Sequence, residues 1–302
     1  MTQRWRSGVC SDAGLVRPVN EDRYYIDDER GIFAVVDGVG GNAAGETAAE
    51  IAIEVIRDEL SGPDRANPDG VRQAITAANN EIHRRASANE SWHGMACVLT
   101  IAVVNHERVI LGHVGDSRLY LIWNGSIRKL TFDHSPVGEL EDKGELSEDE
   151  AMVHPRRHEV FRDVGSRPHS PGDEEFIDTR EFVLKPDAAM LLSSDGLTDL
   201  LTSGQIHELV EKYDGDPART AEELIDAAND AGGTDNVTAI FVAGAEFVGG
   251  NSSQMNDARQ RHGITRDRSI AKKALFSGRV SFLIYGLLIG LLIGLLLALS
   301  FR

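Results

Sequence analysis

The sequence predicts an α+β fold in which long helices cover antiparallel β-sheets. Apolar strand-like runs in residues 1–250 are joined in several places by very short turns, which leave no room for a crossover helix. Asn124-Gly125 has the composition of a two-residue type I′ hairpin turn, and Gly115-Asp116 separates two further runs equally closely. We therefore expect the neighbouring strands to be antiparallel.

Separate helical stretches complete this pattern. The predicted strands are Ile32–Val36, Val98–Val104, Arg108–His113, Arg118–Trp123, Met190–Ser193 and Val237–Val242. The predicted helices, in which Ala, Glu, Ile and Leu recur at helical spacing, are Gly45–Leu60, Gly70–Ala88, Ser203–Lys212 and Pro217–Ala231. Hairpin strands together with separate long helices are typical of the α+β class.

Composition indicates a globular acidic body and a basic tail. The chain has 302 residues, of which 41% are hydrophobic, enough to bury a core. The formal net charge is -17, but residues 1–250 hold 23 Lys or Arg against 46 Asp or Glu, and residues 251–302 hold eight against two. Nucleic acid phosphates repel an acidic body, whereas divalent cations bind carboxylates. We therefore expect no nucleic acid partner.

The cysteines and the N-terminus give no sign of export. Cys10 and Cys97 lie in apolar or strand-like runs without a CxxC or zinc-like spacing, which favours buried, reduced thiols. The N-terminal segment lacks the apolar core of a signal peptide. We expect the body to remain in the compartment where it is made.

A membrane span is predicted at residues 280–301. This segment carries no charge and is long enough to cross the hydrocarbon core as a helix, whereas a buried core helix is seldom apolar on every face. Seven Lys or Arg lie between Arg259 and Arg279, and only Arg302 follows the span. By the positive-inside rule we expect a single-pass protein of the cell inner membrane with a cytoplasmic body.

The sequence thus divides into a body at 1–245, a flexible basic juxtamembrane linker at 246–279 and the span. The linker is rich in Gly, Ser, Asn and Arg, which suits a solvated tether. Within the span, Gly286, Gly290 and Gly294 recur at intervals of four, so a second helix can approach their shared face closely. Because glycine is common in membrane helices, a weak homodimer through this face is the less favoured interpretation.

Acidic turns recur along the body, and their repetition predicts a metal site. One such motif is an ordinary turn, but several strands can deliver carboxylates to a common point, where mutual repulsion requires cations. Oxygen-only ligands match Mg²⁺ or Mn²⁺. The candidate residues are Asp22, Asp37, Asp116, Asp195, Asp199 and Asp235.

The order and content of these motifs resemble the PPM/PP2C family of metal-dependent protein serine/threonine phosphatases, particularly its bacterial branch. The family pattern R-x-x-NED, DGxGG, GDSR, DHS, SDGLxD and GGxDN is met at residues 17–22, 37–41, 115–118, 133–135, 194–199 and 232–236. The resemblance covers approximately residues 8–242. It implies a β-sandwich of two antiparallel sheets flanked by helices.

The resemblance also implies a centre of two or three Mn²⁺ or Mg²⁺ ions. In the family pattern Asp37 bridges two ions, the Gly38 carbonyl and Asp37 serve the first, and Asp195 and Asp235 complete the second. The remaining implied roles are water-mediated metal contacts for Glu21 and Asp22, and a weaker third site for Asp116, Asp195 and Asp199.

Catalysis by direct hydrolysis is implied as well. A water that bridges the two ions loses a proton near neutral pH and attacks phosphorus in line. Arg17 matches the arginine that grips the substrate phosphate, which suits a guanidinium because it offers paired donors. The implied partners are phosphorylated proteins, the substrates of a serine/threonine kinase. Ser117, Ser193 and Ser194 lack a nucleophile elbow and are interpreted as turn or strand residues.

Two alternatives from other classes stay open at this point. One is a pseudophosphatase, a membrane-tethered module that binds phosphoproteins without turnover, although the intact aspartate set argues against it. The other is a binuclear metallohydrolase that acts on small phosphoesters. Binding without phosphate release identifies the pseudophosphatase, and a comparison of phosphopeptides with nucleotide or sugar phosphates identifies the small-molecule hydrolase.

The proton donor for the leaving group is not identified by the motifs. Family members often have a histidine at positions where this sequence has Val39 or Asn42. His134 is the nearest candidate in a motif, with solvent as an equal alternative, but a histidine that holds loop structure is favoured. Between Glu139 and Asp178 the charge-rich chain resembles the family's flap, and its basic group at residues 154–158 is interpreted as a solvated loop with local ion pairs.

Overall fold

The strands form two five-stranded sheets in the computed structural model, which describes residues 4–39, 44–62 and 65–250. In chain order they are β1 (Trp5–Asp12), β2 (Arg23–Asp27), β3 (Ile32–Val39), β4 (Ala96–Asn105), β5 (Arg108–Val114), β6 (Arg118–Ile122), β7 (Ile127–Lys129), β8 (Asp178–Val183), β9 (Ala189–Ser193) and β10 (Val237–Gly244). One sheet has the order β1-β10-β9-β6-β7, and the other has the order β2-β3-β4-β5-β8. Neighbouring strands in both are antiparallel.

Helices cover the outer face of each sheet. The α-helices of the described residues are α1 (Ala44–Glu59), α2 (Pro68–Ala88), α3 (Pro136–Asp142), α4 (Glu148–Met152), α5 (Asp195–Thr198), α6 (Ser203–Val210) and α7 (Pro217–Asp230). The first two pack on one sheet, and the last two pack on the other. Side-chain caps fix several helix starts: Asn67 accepts from the Gly70 N–H, and Asp216 accepts from the Ala218 N–H. A proline follows each of these two caps, at a position where its missing N–H breaks no helical bond.

Alternate side chains of the central strands enter different apolar layers. On β3, Ile32, Ala34 and Val36 pack with α1 and α2, whereas Phe33 and Val35 pack between the sheets. β10 alternates in the same way between the inter-sheet layer and the layer under α6 and α7. The order of layers is helix, sheet, sheet, helix, so the predicted β-sandwich flanked by helices is confirmed.

The structure contains all six predicted strands and all four predicted helices, with ends shifted by a few residues. It also contains β1, β2, β7 and β8, which apolar patterning did not reveal. These four strands lie at the sheet edges, where much of each strand is exposed and fewer apolar residues are needed.

One expectation was wrong: the strands on either side of Gly115-Asp116 are not neighbours. β5 pairs with β4 and β8, whereas β6 pairs with β7 and β9 in the other sheet. Gly115 has a φ of 110°, which residues with a side chain rarely adopt, and the chain crosses here from one sheet to the other. Asp116 therefore lies at the crossing rather than in a hairpin. Asn124 and Gly125, with φ of 53° and 67°, do form the predicted type I′ turn.

Several predictions concern residues outside the described ranges. They are the span at 280–301 with Gly286, Gly290 and Gly294, the linker from residue 251 onward, Gly40 and Gly41 of the DGVGG segment, and Asn42 directly after it. Within the described ranges, no helix combines the length and the apolar character needed to cross a bilayer.

Substitution of Gly115 tests whether the crossing between the sheets requires glycine. A Cβ there would lie 2.2 Å from Val98 side-chain atoms, in addition to the cost of the left-handed backbone. We expect Gly115→Ala to lower the free energy of unfolding by about 2–4 kcal/mol, measured by urea titration. Gly125→Ala is the control: its φ is also positive, but its Cβ would meet nothing within 4 Å, so a loss of only about 1 kcal/mol is expected. Equal losses in the two variants would contradict the steric argument.

Candidate metal centre

Each predicted acidic residue lies beside a strand end or in a turn. In chain order, Asp22 immediately precedes β2, Asp37 lies near the end of β3, Asp116 lies in the β5–β6 crossing, Asp195 begins α5 directly after β9, Asp199 ends α5, and Asp235 lies just before β10. The two sheets thus contribute carboxylates to one region.

Asn236 fastens the segment that carries Arg17 to the start of β10. Its Oδ1 accepts from the Glu21 N–H at 2.8 Å, and its Nδ2 donates to the carbonyls of Ala13 and Val19 at 3.0 and 2.8 Å. Asn236 is buried, so these three bonds satisfy its amide away from water. The motif pattern marked Asn236 as part of GGxDN but gave it no role, and the structure supplies one.

Asp22 is the most deeply buried of the predicted acidic residues, at 2% exposure. Its Oδ2 accepts from the Ser194 hydroxyl at 2.7 Å, while its Oδ1 has no hydrogen-bond partner among the described residues. Burial raises the pKa of Asp22 to about 7, opposed by hydrogen bonds from Ser194 and Thr238 and reinforced by nearby aspartates. Ser194 therefore supports a carboxylate, in agreement with its predicted structural role.

Other aspartates of the cluster also have raised pKa values, so they ionise less readily than an exposed aspartate. Burial, followed by repulsion from neighbouring aspartates, raises the pKa of Asp37 and Asp116 well above the ordinary value. Burial and Asp235 raise the pKa of Asp195, although a hydrogen bond with Asp37 opposes this shift. Burial and Asp195 raise the pKa of Asp199 to about 7.

Arg17 lies at the mouth of the cluster. Its Nη2 donates to Asp235 Oδ2 at 2.8 Å, and half of its side chain is exposed. The guanidinium therefore has donors directed toward solvent as well as toward a carboxylate. This position agrees with a residue that meets a ligand arriving from outside.

The cluster fits hard divalent cations. Its donors are carboxylate oxygens, and an unpartnered buried oxygen on Asp22 is the kind of group that a cation or its water satisfies. Gly38 packs against the backbone of Gly45 and Glu21, because a Cβ on Gly38 would lie 2.3 Å from the Gly45 carbonyl oxygen. Within the described residues, the set whose ligand atoms all lie within 4.8 Å of one another consists of His158, Asp195 and Asp235.

Comparison with known proteins decides the family. The Protein phosphatase 2C family model matches residues 2–143. Serine/threonine phosphatase stp of Listeria monocytogenes is 34% identical over 240 residues, covering 77% of this chain and 93% of that protein. This chain belongs to the protein phosphatase 2C family. It is a metal-dependent protein serine/threonine phosphatase, as the sequence predicted.

Solved phosphatases share the fold. The Mycobacterium tuberculosis serine/threonine phosphatase PstP/Ppp superimposes with a TM-score of 0.71 at 30% identity, over 80% of this chain and 98% of that one. The catalytic domain of PstP in complex with two manganese ions gives a TM-score of 0.68 at 30% identity, over 80% and 98% of the respective chains. The predicted PP2C-like fold is thereby confirmed for the described body.

The flap of this phosphatase reaches the carboxylates, which the sequence interpretation did not anticipate. Arg157 Nε lies 3.3 Å and His158 Nδ1 lies 3.5 Å from the same oxygen of Asp199. The predicted local ion pair is also present, between Arg156 and Glu159 at 2.7 Å. The signal available in the sequence was a compact basic group within an otherwise acidic body.

His134 is a structural residue in the phosphatase fold, as favoured from the sequence. It is 4% exposed, its Nδ1 accepts from the Gly115 N–H at 3.0 Å, and its Nε2 lies 3.5 Å from Asp178. A hydrogen bond from His134 lowers the pKa of Asp178 to about 2, against the effect of burial. With both ring nitrogens engaged, His134 fixes the β5–β6 crossing.

A buried ion-pair network lies next to the same crossing and stabilises it. Arg118, two residues after Asp116, lies 2.6 Å from Asp133 and 2.7 Å from Glu141. Lys129 adds a contact of 2.7 Å with Asp142. Because a buried charge without its partner is costly, this network holds the GDSR and DHS motifs together.

Replacement of Asp22 by Asn tests the cost of the buried carboxylate. Because the folded-state pKa of Asp22, about 7, lies above its ordinary 3.8, the wild type loses stability as pH rises toward and through 7. An amide does not ionise, so in EDTA we expect Asp22→Asn to gain stability relative to the wild type between pH 4 and pH 8. The expected change in that difference is on the order of 4 kcal/mol.

The measurement is urea unfolding at both pH values, with and without Mn²⁺. Asp226→Asn, an exposed change on α7, is the control and should show no such pH-dependent gain. Excess Mn²⁺ should reduce the advantage of Asp22→Asn, because a cation stabilises the ionised cluster. An advantage that is the same at pH 4 and pH 8 would refute the assigned direction of the shift.

Proposed function

We propose that this phosphatase hydrolyses phosphoserine and phosphothreonine in proteins at a centre of two Mn²⁺ or Mg²⁺ ions. Asp37, the Gly38 carbonyl, Asp195 and Asp235 hold these ions. The observation that carries the proposal is the convergence of carboxylates from both sheets on one region, with the pKa of several raised by burial and mutual repulsion. The relative PstP, described in complex with two manganese ions, supports the number and type of ion.

Bound divalent cations supply positive charge for the phosphoryl oxygens and lower the pKa of water, which permits direct hydrolysis without a phosphoenzyme. The chain positions the reactants around them. Glu21 and Asp22 accept hydrogen bonds from waters in the site, and the partner-free Oδ1 of Asp22 is available for this. Asp116, Asp195 and Asp199 offer carboxylates for a third, weaker ion.

Arg17 orients the substrate phosphate in this proposal. Its pairing with Asp235 places a cation at the mouth of the cluster, and its exposed half leaves donors for two phosphate oxygens. Asp235 would hold an ion less tightly while it is paired with Arg17, and with an ion in place Arg17 would have further donors for the phosphate. Since Val39 is aliphatic and His134 is engaged in the loop, we assign protonation of the leaving oxygen to solvent.

Removal of the ions or of Asp37 tests the proposed function. We expect the purified full chain in detergent micelles to release phosphate from phosphoserine and phosphothreonine peptides with Mn²⁺ or Mg²⁺, and to lose this activity in EDTA. Asp37→Asn should lower kcat/KM on the order of a thousandfold, because several kcal/mol of transition-state stabilisation is lost. The exposed Asp58→Asn is the control and should retain activity.

Two outcomes would overturn the proposal. Full activity in EDTA would exclude a metal-dependent reaction, and binding of phosphopeptide without phosphate release would identify a pseudophosphatase. Faster hydrolysis of nucleotide or sugar phosphates than of phosphopeptides would instead identify a small-molecule phosphoesterase.

We further propose that the phosphatase is tethered to the cytoplasmic face of the cell inner membrane, where it opposes a serine/threonine kinase. The uncharged sequence at 280–301 and the seven basic residues between Arg259 and Arg279 support this arrangement. A tether restricts the enzyme to phosphoproteins at or near the membrane surface.

Charges placed within the span test the tether. We expect the wild type to remain in the membrane fraction after a carbonate wash. Leu291→Arg/Leu292→Arg should move it to the soluble fraction, because each arginine costs about 3 kcal/mol at the centre of the bilayer. Leu15→Arg/Val16→Arg adds the same charge at exposed positions of the body and should leave the protein in the membrane. A wild type found in the soluble fraction would contradict the proposal.

A further inference from the structure

The flap holds His158 against the carboxylates through a defined backbone path. Backbone N–H groups of Arg157 and Glu159 donate to the carbonyls of His154 and Arg156, which makes a tight turn around His158. Farther along, the Phe161 N–H donates to the His134 carbonyl at 2.9 Å, tying the segment to the buried loop. The position of His158 is therefore set by the fold and not only by its side-chain contacts.

Two contacts of the imidazole point to a ligand rather than to a surface ion pair. One ring nitrogen of His158 and a carboxylate oxygen of each of Asp195 and Asp235 lie within 4.8 Å of one another, close enough to share one ion. Asp199 lies 3.5 Å from Nδ1. Histidines that bind metals commonly donate their other ring N–H to a carboxylate, which fixes the ring.

We propose that His158 supplies a nitrogen ligand to the cation held by Asp195 and Asp235, an inference that rests on the binuclear centre proposed above. His158 lies in the flap, outside the acidic motifs. Those motifs predicted only oxygen ligands, so His158 was not among the predicted metal ligands. The ion thereby links the flap to the sheet edge, so that occupancy of the site orders the segment beside Arg17.

The proposal has a consequence for metal choice. Imidazole nitrogen is a good ligand for transition metals, whereas Mg²⁺ prefers oxygen. A nitrogen ligand at this position therefore raises affinity for Mn²⁺ more than for Mg²⁺. Loss of His158 should weaken Mn²⁺ binding by about tenfold, by analogy with the loss of groups that orient metal ligands, and should leave Mg²⁺ binding nearly unchanged.

Electron spin echo envelope modulation of bound Mn²⁺ tests the direct bond without reference to activity. The full chain without an affinity tag, in detergent micelles, is loaded with Mn²⁺ and measured as wild type and as His158→Gln. We expect modulation from directly bound ¹⁴N in the wild type, its replacement by the ¹⁵N pattern after labelling with ¹⁵N-histidine, and its loss in His158→Gln. His93→Gln, an exposed change outside the flap, should retain the modulation.

A titration with Mn²⁺ and Mg²⁺ accompanies the spectra and separates the two proposals. Bound Mn²⁺ without ¹⁴N modulation in the wild type, or modulation that persists in His158→Gln, would overturn the role of His158 and leave the metal centre intact. Absence of Mn²⁺ binding in the wild type would overturn both. Equal weakening of Mn²⁺ and Mg²⁺ binding in His158→Gln would contradict the proposed metal preference.

Discussion

Mutual repulsion among aspartates gathered at strand ends of the two sheets is the constraint on which the rest of the structure depends. Burial raises the pKa of Asp22 and Asp199 to about 7 and that of Asp37 well above its ordinary value, so the ionised cluster is costly without cations. A chain that clusters such groups is less stable in its folded state, and in return it has a functional site at that cluster. The apolar layers on both sides of each sheet supply folding stability that offsets that cost.

The supporting structure serves to hold the acidic turns at fixed positions. Asn236 ties the Arg17 segment to β10 through three hydrogen bonds, and His134 fixes the Gly115 turn through a fourth. Arg118 and Lys129 together pair with Asp133 and Glu141 beside the crossing that carries Asp116. The polar residues of the motifs therefore fall into two groups. Some face the site, and the others hold the backbone of the site in place.

The sequence predicted the parts of this protein that are encoded locally. Central strands such as β4 and β10 are buried on both faces over nearly all of their length and are therefore mostly apolar, so each could be recognised from its own sequence. Edge strands such as β2 are only partly buried, have a charged residue at each end and have no such signature. The crossing at Gly115 depends on which sheet each flanking strand joins, a long-range choice that a short turn between two apolar runs does not reveal.

The same distinction explains why the acidic ligands were predicted and the flap residues were not. Asp37, Asp195 and Asp235 occur in motifs whose order indicates a shared site, whereas His158 becomes relevant only through a contact with residues about forty to eighty positions away. That contact matters because the basic flap and the acidic edge are complementary. Arg157 approaches Asp199 as Arg17 approaches Asp235, so both guanidinium groups pair with carboxylates that the proposed metal centre uses. In that proposal, ions held by these carboxylates would leave both guanidinium groups available to a doubly charged phosphate.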